Sequence, residues 1–215
     1  MTTSYRLGEW LAYFAQGARQ RVNERLLALS DVHFDSAFER FQVLYQTQHE
    51  FIVGVEPFLR RAIQTMLPEF LLKHSSLESE CRQSLALLGL DAYGLRQFRP
   101  RECLGEWESL GFLYTLECAN TKITGLVNEW APNCNLPDAI LTHLQTSNSS
   151  RWFDFRQALV ALESQGISRS QFDMTLEGAL LGYDKWELAL DNTLEDFDPS
   201  RERIETPAVL VPSNS

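Results

Sequence analysis

The sequence LGFLYTLE at residues 110–117 continues as CANTKITG to residue 125 and contains no proline. Apolar side chains recur through it at the spacing of one face of an α-helix. It lies near the middle of a predicted long helix over about residues 104–130. The same spacing dominates the rest of the chain, and no convincing run of alternating β-branched residues appears. The central segment and its surroundings therefore predict an all-α protein.

Apolar stripes predict further helices on both sides of this segment. Pro57 and Pro68 interrupt one of these stripes, so we expect a kink or break at each proline. Ser168 has the residue type of a helix N-cap. After Pro199 the periodicity is lost, which predicts one helical domain over residues 1–197 and a disordered tail over 198–215. The other predicted helices span about residues 4–28, 36–72, 75–88, 137–146, 151–165 and 168–194.

The composition restricts the classes of partner. The chain of 215 residues has a formal net charge of −10 and an isoelectric point near 4.9. Nucleic acids and anionic membranes require a basic surface, so neither is expected as the main partner. The N-terminus lacks a basic flank followed by an apolar core, and no apolar run approaches the roughly 18 residues of a membrane span. We therefore expect a cytoplasmic protein whose scattered cysteines are reduced.

The central segment resembles the distal-helix motif of bacterial heme oxygenases, roughly L-G-x-L-Y-V-L-E-G-S-x-L-G-G. Three further regions resemble that family in the same order along the chain. The resemblance covers about residues 5–195 and implies a heme oxygenase-like bundle of about seven or eight helices. It also implies heme as substrate and cofactor, cleaved to biliverdin, iron and carbon monoxide with an external electron donor. The three regions are QVLYQTQHEF with VEPFL (42–59), residues 82–90, and the two apolar stripes over 152–162 and 179–186.

The sequence departs from the family pattern where the chemistry is expected. Aligned on Leu26, the family's iron-binding histidine falls at Asn23, and the threonine of that motif falls at Arg19. The family's glycines on the distal helix, which let the backbone approach the porphyrin, fall at Cys118, Lys122 and Ile123. An asparagine amide is a poor ligand for heme iron. We therefore expect that ordinary histidine-ligated heme cleavage is lost, although heme remains a possible cofactor.

The resemblance places a ligand pocket between the first helix and the helix around 110–126. Cations and phenols at its rim suit the carboxylates of a tetrapyrrole or of a small apolar acid. A solvated charged surface is the alternative interpretation for Arg19, Arg21 and Arg25. Glu117 is expected to be a buried carboxylate that bonds between helices. The full set of pocket candidates is Arg19, Asn23, Glu117, Cys118, Lys122, Ile123, Gly125, Tyr183 and Lys185.

Three functions remain open from the sequence. The first is a divergent binding protein for a tetrapyrrole, another ligand or a protein partner. The second is an active heme oxygenase, and whether the chain is an enzyme stays open. The third is a di-metal carboxylate enzyme on a related helical fold, with the candidate ligands Glu50, Glu56, Glu117, His49 and Asp184. No Glu-x-x-His pair supports it, and His49 is interpreted more simply as a hydrogen-bonded core histidine.

Overall fold

The computed structural model describes residues 6–32, 34, 37–74, 77–90, 104–134, 136–138, 140, 142 and 150–197. Most of the expected 137–146 helix and the expected tail over 198–215 lie outside this part of the chain. Within it, the secondary structure is helical and contains no strand, as predicted. Eight α-helices are present there: α1 (Leu7–Phe14), α2 (Gln16–Ala28), α3 (Ala37–Met66), α4 (Pro68–Lys73), α5 (Leu77–Leu87), α6 (Glu106–Trp130), α7 (Arg151–Glu163) and α8 (Arg169–Asp196).

The N-terminal segment forms two helices, where the sequence predicts one over residues 4–28. The helices meet at Ala15, which is buried and leaves the helical conformation with φ −92° and ψ 8°. Helix α1 packs against α7 and α8, whereas α2 packs against α6 and α8. The two halves therefore bury their apolar stripes against different neighbours, which requires a change of direction between them.

The two prolines of the second predicted region have different effects. Helix α3 runs without a break through Pro57, so a break there is wrong, while the alternative of a kink stays a prediction. Pro57 lies on the exposed face of the helix, where water can hydrate the carbonyl group that loses its partner. At Pro68 the predicted break is confirmed, because Leu67 leaves the helix with φ −131° and ψ 52° and Pro68 begins α4. Both prolines are exposed, so exposure alone does not explain why the helix continues at Pro57 and ends before Pro68.

The pair α6 and α8 forms the centre of the bundle, and α3 packs against both helices. Glycines let the two backbones approach closely. A Cβ atom added at Gly111 would lie 2.1 Å from the backbone oxygen of Thr175, and one added at Gly178 would lie 2.1 Å from that of Glu108. The Thr115 hydroxyl also donates a hydrogen bond of 2.9 Å to the carbonyl of Ala179. Gly111, part of the segment that predicts the fold, is therefore a packing residue.

The ends of the helices follow local signals in the sequence. Helix α5 is followed by Gly89 and α7 by Gly166, with φ of +73° and +86°. Ser168 caps α8 as predicted: its hydroxyl accepts from the Gln171 amide at 3.2 Å, and the Gln171 side chain accepts from the Ser168 amide at 2.8 Å. None of the helices in the described ranges combines the length and apolarity that crossing a membrane requires.

Candidate functional site

Helix α2 presents no histidine to the bundle, since residues 6–32 contain none. Asn23, where the sequence resemblance predicts the family's iron ligand, is half-buried, and its neighbours Val22 and Leu26 are fully buried. Two of the expected carboxylate-binding residues of α2 are already used within the protein. Arg21 pairs with Asp184 and Glu187 of α8, and Arg25 pairs with Asp191. These two arginines thus join α2 to α8.

On helix α6 the substituted glycine positions face different environments. Ile123 has no exposed surface, whereas Lys122 is half-buried. Gly125 lies on the exposed face, and a Cβ atom there would meet nothing within 4 Å. Because a side chain beside an open cavity keeps accessible surface, no open space adjoins Ile123. The segment of α6 around Ile123 is therefore filled by the core.

These observations test whether the heme implied by the fold fits between α2 and α6. The expected position of the iron ligand holds an amide, and the facing segment of α6 carries a buried β-branched side chain. A histidine-ligated heme in the manner of the family needs an imidazole on one face and a backbone free of side chains on the other. The residues present do not fit that arrangement.

Four polar side chains meet about one turn away, between α2, α6 and α8. Burial raises the pKa of the Cys118 thiol, and the hydroxyls of Tyr183 and Tyr114 and the charge of Arg19 partly oppose this rise. Burial likewise raises the pKa of both tyrosines, and the nearby thiol adds to it. The Tyr183 hydroxyl is buried without a hydrogen bond of normal geometry. At neutral pH the cluster is therefore an uncharged thiol and two uncharged phenols beside one guanidinium.

A cavity of about 600 Å³ opens on the side of the bundle formed by α1, α2, α6 and α7. Arg19 and Tyr114, which belong to the polar cluster, also line this cavity. Its volume falls in the range of roughly 300–1,000 Å³ that is usual for ligand pockets. The cavity is lined by Arg6, Gly8, Glu9, Ala12, Arg19, Tyr114, Trp152, Arg156, Leu159, Val160, Glu163 and Ser164.

The structure brings together only part of the residue set expected from the sequence. Arg19, Cys118 and Tyr183 meet, as their placement on facing helices predicts, although of these three only Arg19 lines the cavity. The other candidates on α2, α6 and α8 do not line it, and their role in binding a ligand stays a prediction. Those residues are Asn23, Glu117, Lys122, Ile123, Gly125 and Lys185.

Of the residues that line the cavity, the sequence analysis identifies only Arg19, and Tyr114, Trp152 and Arg156 are among those it misses. Tyr114 belongs to the quoted segment but received no role of its own. Trp152 was assigned to the core stripe of its helix, but it is half-buried and borders the cavity. Arg156 is an exposed residue on the same helix and carried no signal, because a single arginine on a helix surface is usually only solvated.

Glu117 is a buried carboxylate that bonds between helices, as predicted. Its Oε1 atom accepts a hydrogen bond of 2.7 Å from Nε of Arg151, the first residue of α7, and both side chains are at most 3% exposed. The Arg151 guanidinium also lies 5.2 Å from the centre of the Phe70 ring of α4. This buried ion pair holds the beginning of α7 against α6. The sequence did not identify Arg151 as the partner.

The proposed di-metal ligands are dispersed. Glu50 accepts a hydrogen bond of 2.8 Å from Asn192, and Asp184 lies on the surface beside Arg21. Across the described ranges, no group of three or more histidine, cysteine or acidic residues is arranged to hold a metal ion. His49 is fully buried, but neither ring nitrogen has a hydrogen-bond partner there, so the expected hydrogen-bonded histidine is wrong.

Comparison with known proteins supports the fold. No protein-family model matches the chain, and no curated protein matches it. Among solved structures, the NO- and CO-bound heme oxygenase from Neisseria meningitidis matches with a TM-score of 0.67 and 17% sequence identity. The match covers 96% of this chain and 98% of that one. The chain therefore has a heme oxygenase-like fold in a single domain, as the sequence predicts.

Proposed function

We propose that this protein uses a heme oxygenase-like fold to bind a planar acidic ligand, with a tetrapyrrole as the leading candidate. In this proposal it does not cleave heme by the histidine-ligated route. The observation that carries the proposal is the contrast between two regions on one side of the bundle. The space at Ile123 is filled, whereas a cavity of about 600 Å³ containing Arg19 remains open nearby.

The chemistry of the cavity supports binding rather than catalysis. Its polar groups include three guanidinium groups and a tyrosine hydroxyl, which bind carboxylates. Its two carboxylates already have partners in the protein: Glu9 pairs with Arg6, and Glu163 accepts a hydrogen bond from the backbone amide of Gly8. Burial raises the pKa of the nearby Cys118 thiol, so it is a poor nucleophile at neutral pH. Among the described lining residues, no histidine is present to act as a general base or as an iron ligand.

A titration with heme and, separately, with biliverdin tests the proposal. We expect saturable binding of at least one tetrapyrrole, a heme spectrum without the signature of an axial histidine, and no biliverdin formed in the presence of a reductant. A histidine-type heme spectrum with release of biliverdin and carbon monoxide would contradict it and favour an active heme oxygenase, the alternative that the fold match supports. Absence of binding by either compound would also contradict it and favour a protein partner.

The position of the missing ligand offers a gain-of-function test. The variant Asn23→His with Lys122→Gly and Ile123→Gly should bind heme more tightly than the unmodified protein, with a new histidine-type spectrum. Asn23→Gln is the matched control, because it changes the same half-buried position without an imidazole. Circular dichroism should confirm that each variant is folded, since Ile123 is a core residue. Equal heme affinity of the folded triple variant would show that either the alignment at Asn23 or the idea of a blocked pocket is wrong.

A further inference from the structure

We infer that the cavity between α1 and α7 is a site for a planar aromatic or conjugated carboxylate, held by Arg19 and Arg156 beside the rings of Tyr114 and Trp152. This inference rests on the proposed binding function and narrows it to a place and a ligand class.

The charges around the cavity leave these two arginines available. Arg6 is paired with Glu9 at 2.8 Å. Glu163 accepts a hydrogen bond of 3.0 Å from the backbone amide of Gly8, near the beginning of α1. Within the described part of the chain, neither Arg19 nor Arg156 forms an ion pair with a carboxylate. The cavity therefore keeps two guanidinium groups that no carboxylate of the described chain pairs with, each able to bind a carboxylate of a ligand.

The two arginines occupy different depths. Arg19 is half-buried and lies close enough to the Tyr114 hydroxyl to oppose part of the rise that burial causes in the pKa of that phenol. Arg156 is exposed and lines the same cavity from α7. Guanidinium groups on α2 and α7 thus border one space from two helices. This separation favours a ligand with acidic groups at two positions.

The wall between the two arginines is aromatic. The ring centres of Tyr114 and Trp152 are 6.1 Å apart, and the ring planes are inclined by 59°. Tyr114 is almost fully buried and Trp152 is half-buried, so Trp152 keeps part of its surface for a ligand. Leu159 adds an apolar contact to the same wall. A flat conjugated ring can be buried against such a surface, whereas a small inorganic anion would use only the arginines.

Helix α7, which carries Trp152 and Arg156, is held in place by two polar contacts near its beginning. Arg151 bonds to Glu117 of α6 at 2.7 Å, and Asp154 pairs with His74 at 3.1 Å. These contacts join protein groups to each other and fix the beginning of α7, so binding requires less ordering of the cavity wall.

Isothermal titration calorimetry with 2,6-naphthalenedicarboxylate tests the site, with its uncharged dimethyl ester as the ligand control. We expect saturable binding of the dicarboxylate and much weaker binding of the ester. Arg19→Gln and Arg156→Gln should each weaken binding by about tenfold or more, the loss expected for hydrogen bonds between charged groups. Arg61→Gln, which removes an exposed arginine of α3 away from the cavity, should leave the affinity unchanged.

The position of the ring has a separate readout. Bound dicarboxylate should quench the fluorescence of Trp152, and Trp152→Phe should remove that contribution to the quenching. The variant Arg156→Lys should bind the dicarboxylate with intermediate affinity. Equal affinities of the unmodified protein, Arg19→Gln and Arg156→Gln would overturn the inference, as would a failure of the dicarboxylate to bind. If a tetrapyrrole binds and none of these variants changes its affinity, the inferred site is wrong and the proposed function stands. If the dicarboxylate binds through both arginines and no tetrapyrrole binds, the site is supported and a tetrapyrrole is excluded as its ligand.

Discussion

The close contact between α6 and α8 leads to a prediction about Gly178. A methyl group at this position would lie 2.1 Å from the backbone oxygen of Glu108 and 2.6 Å from its Cα atom. Both distances are well below the 3.4 Å at which ordinary contact begins. The opposing atoms belong to a helix backbone, which cannot rotate away as a flexible side chain can. Gly178→Ala must therefore displace α8 from α6 by about 1 Å or more, a shift of the size that overpacked cores resist.

The size of the effect follows from two opposing contributions. Overpacking in a core typically destabilises a protein by about 1–3 kcal/mol, and a backbone clash belongs at the upper end of that range. Replacing glycine by alanine inside a helix stabilises it by about 1 kcal/mol. The net expectation for Gly178→Ala is a destabilisation of about 2 kcal/mol, which lowers the Tm of a domain of this size by roughly 4–8 °C. Gly111→Ala should behave similarly.

Two other glycines of the same helices provide graded controls. Gly125→Ala meets nothing within 4 Å, so it should raise the free energy of unfolding by up to about 1 kcal/mol. Gly182→Ala meets only the Thr115 side chain, at 2.9 Å from its hydroxyl oxygen, and should fall between the two extremes. Urea unfolding followed by circular dichroism measures all four variants. If Gly178→Ala is as stable as Gly125→Ala, the close packing of α6 on α8 is wrong.

Two further predictions concern buried polar groups. Glu117→Ala should destabilise the protein by about 3–5 kcal/mol because it leaves the buried Arg151 charge without its partner, whereas Glu117→Leu combined with Arg151→Met should recover most of the loss in urea unfolding. Burial, followed by the charge of Arg82, lowers the pKa of His49 in the folded protein, and the charge of Glu78 opposes this shift only in part. The unfolded chain therefore binds the proton more readily, so the free energy of unfolding should be highest above about pH 6.5 and fall as the pH decreases toward 5. His49→Leu should remove most of this slope, and an unchanged slope would contradict the assignment.

The helical class and most helix positions could be predicted because apolar spacing and capping residues act locally. Ser168 and Gly166 illustrate this, since each marks a helix end through its own backbone or side chain. The break at Ala15 could not be predicted in the same way. Its cause is that α1 and α2 pack against different helices, and no residue near Ala15 carries that information. The different outcomes at Pro57 and Pro68 could not be predicted either, because the two prolines interrupt one apolar stripe and both are exposed.

The residues of the candidate site likewise fall into those that the sequence could predict and those that it could not. Arg19, Cys118 and Tyr183 could be proposed because the family resemblance aligns their helices. Trp152 and Arg156 could not, because their importance comes from the position of α7 across the cavity. That position depends on the buried pair of Glu117 and Arg151, two residues 34 positions apart. A sequence read one helix at a time cannot detect such a pair.

The segment LGFLYTLE predicts the fold better than it predicts the function, and the packing of α6 gives the reason. Gly111 and Thr115 lie in its first part and contact α8, where a larger residue at Gly111 would collide with a backbone. That constraint acts on any ligand-free or ligand-bound form of the bundle. Cys118, Lys122 and Ile123 lie further along α6, on positions that the contact with α8 does not restrict to glycine. A chain can therefore keep the packing part of the motif while the positions that the resemblance associates with heme change.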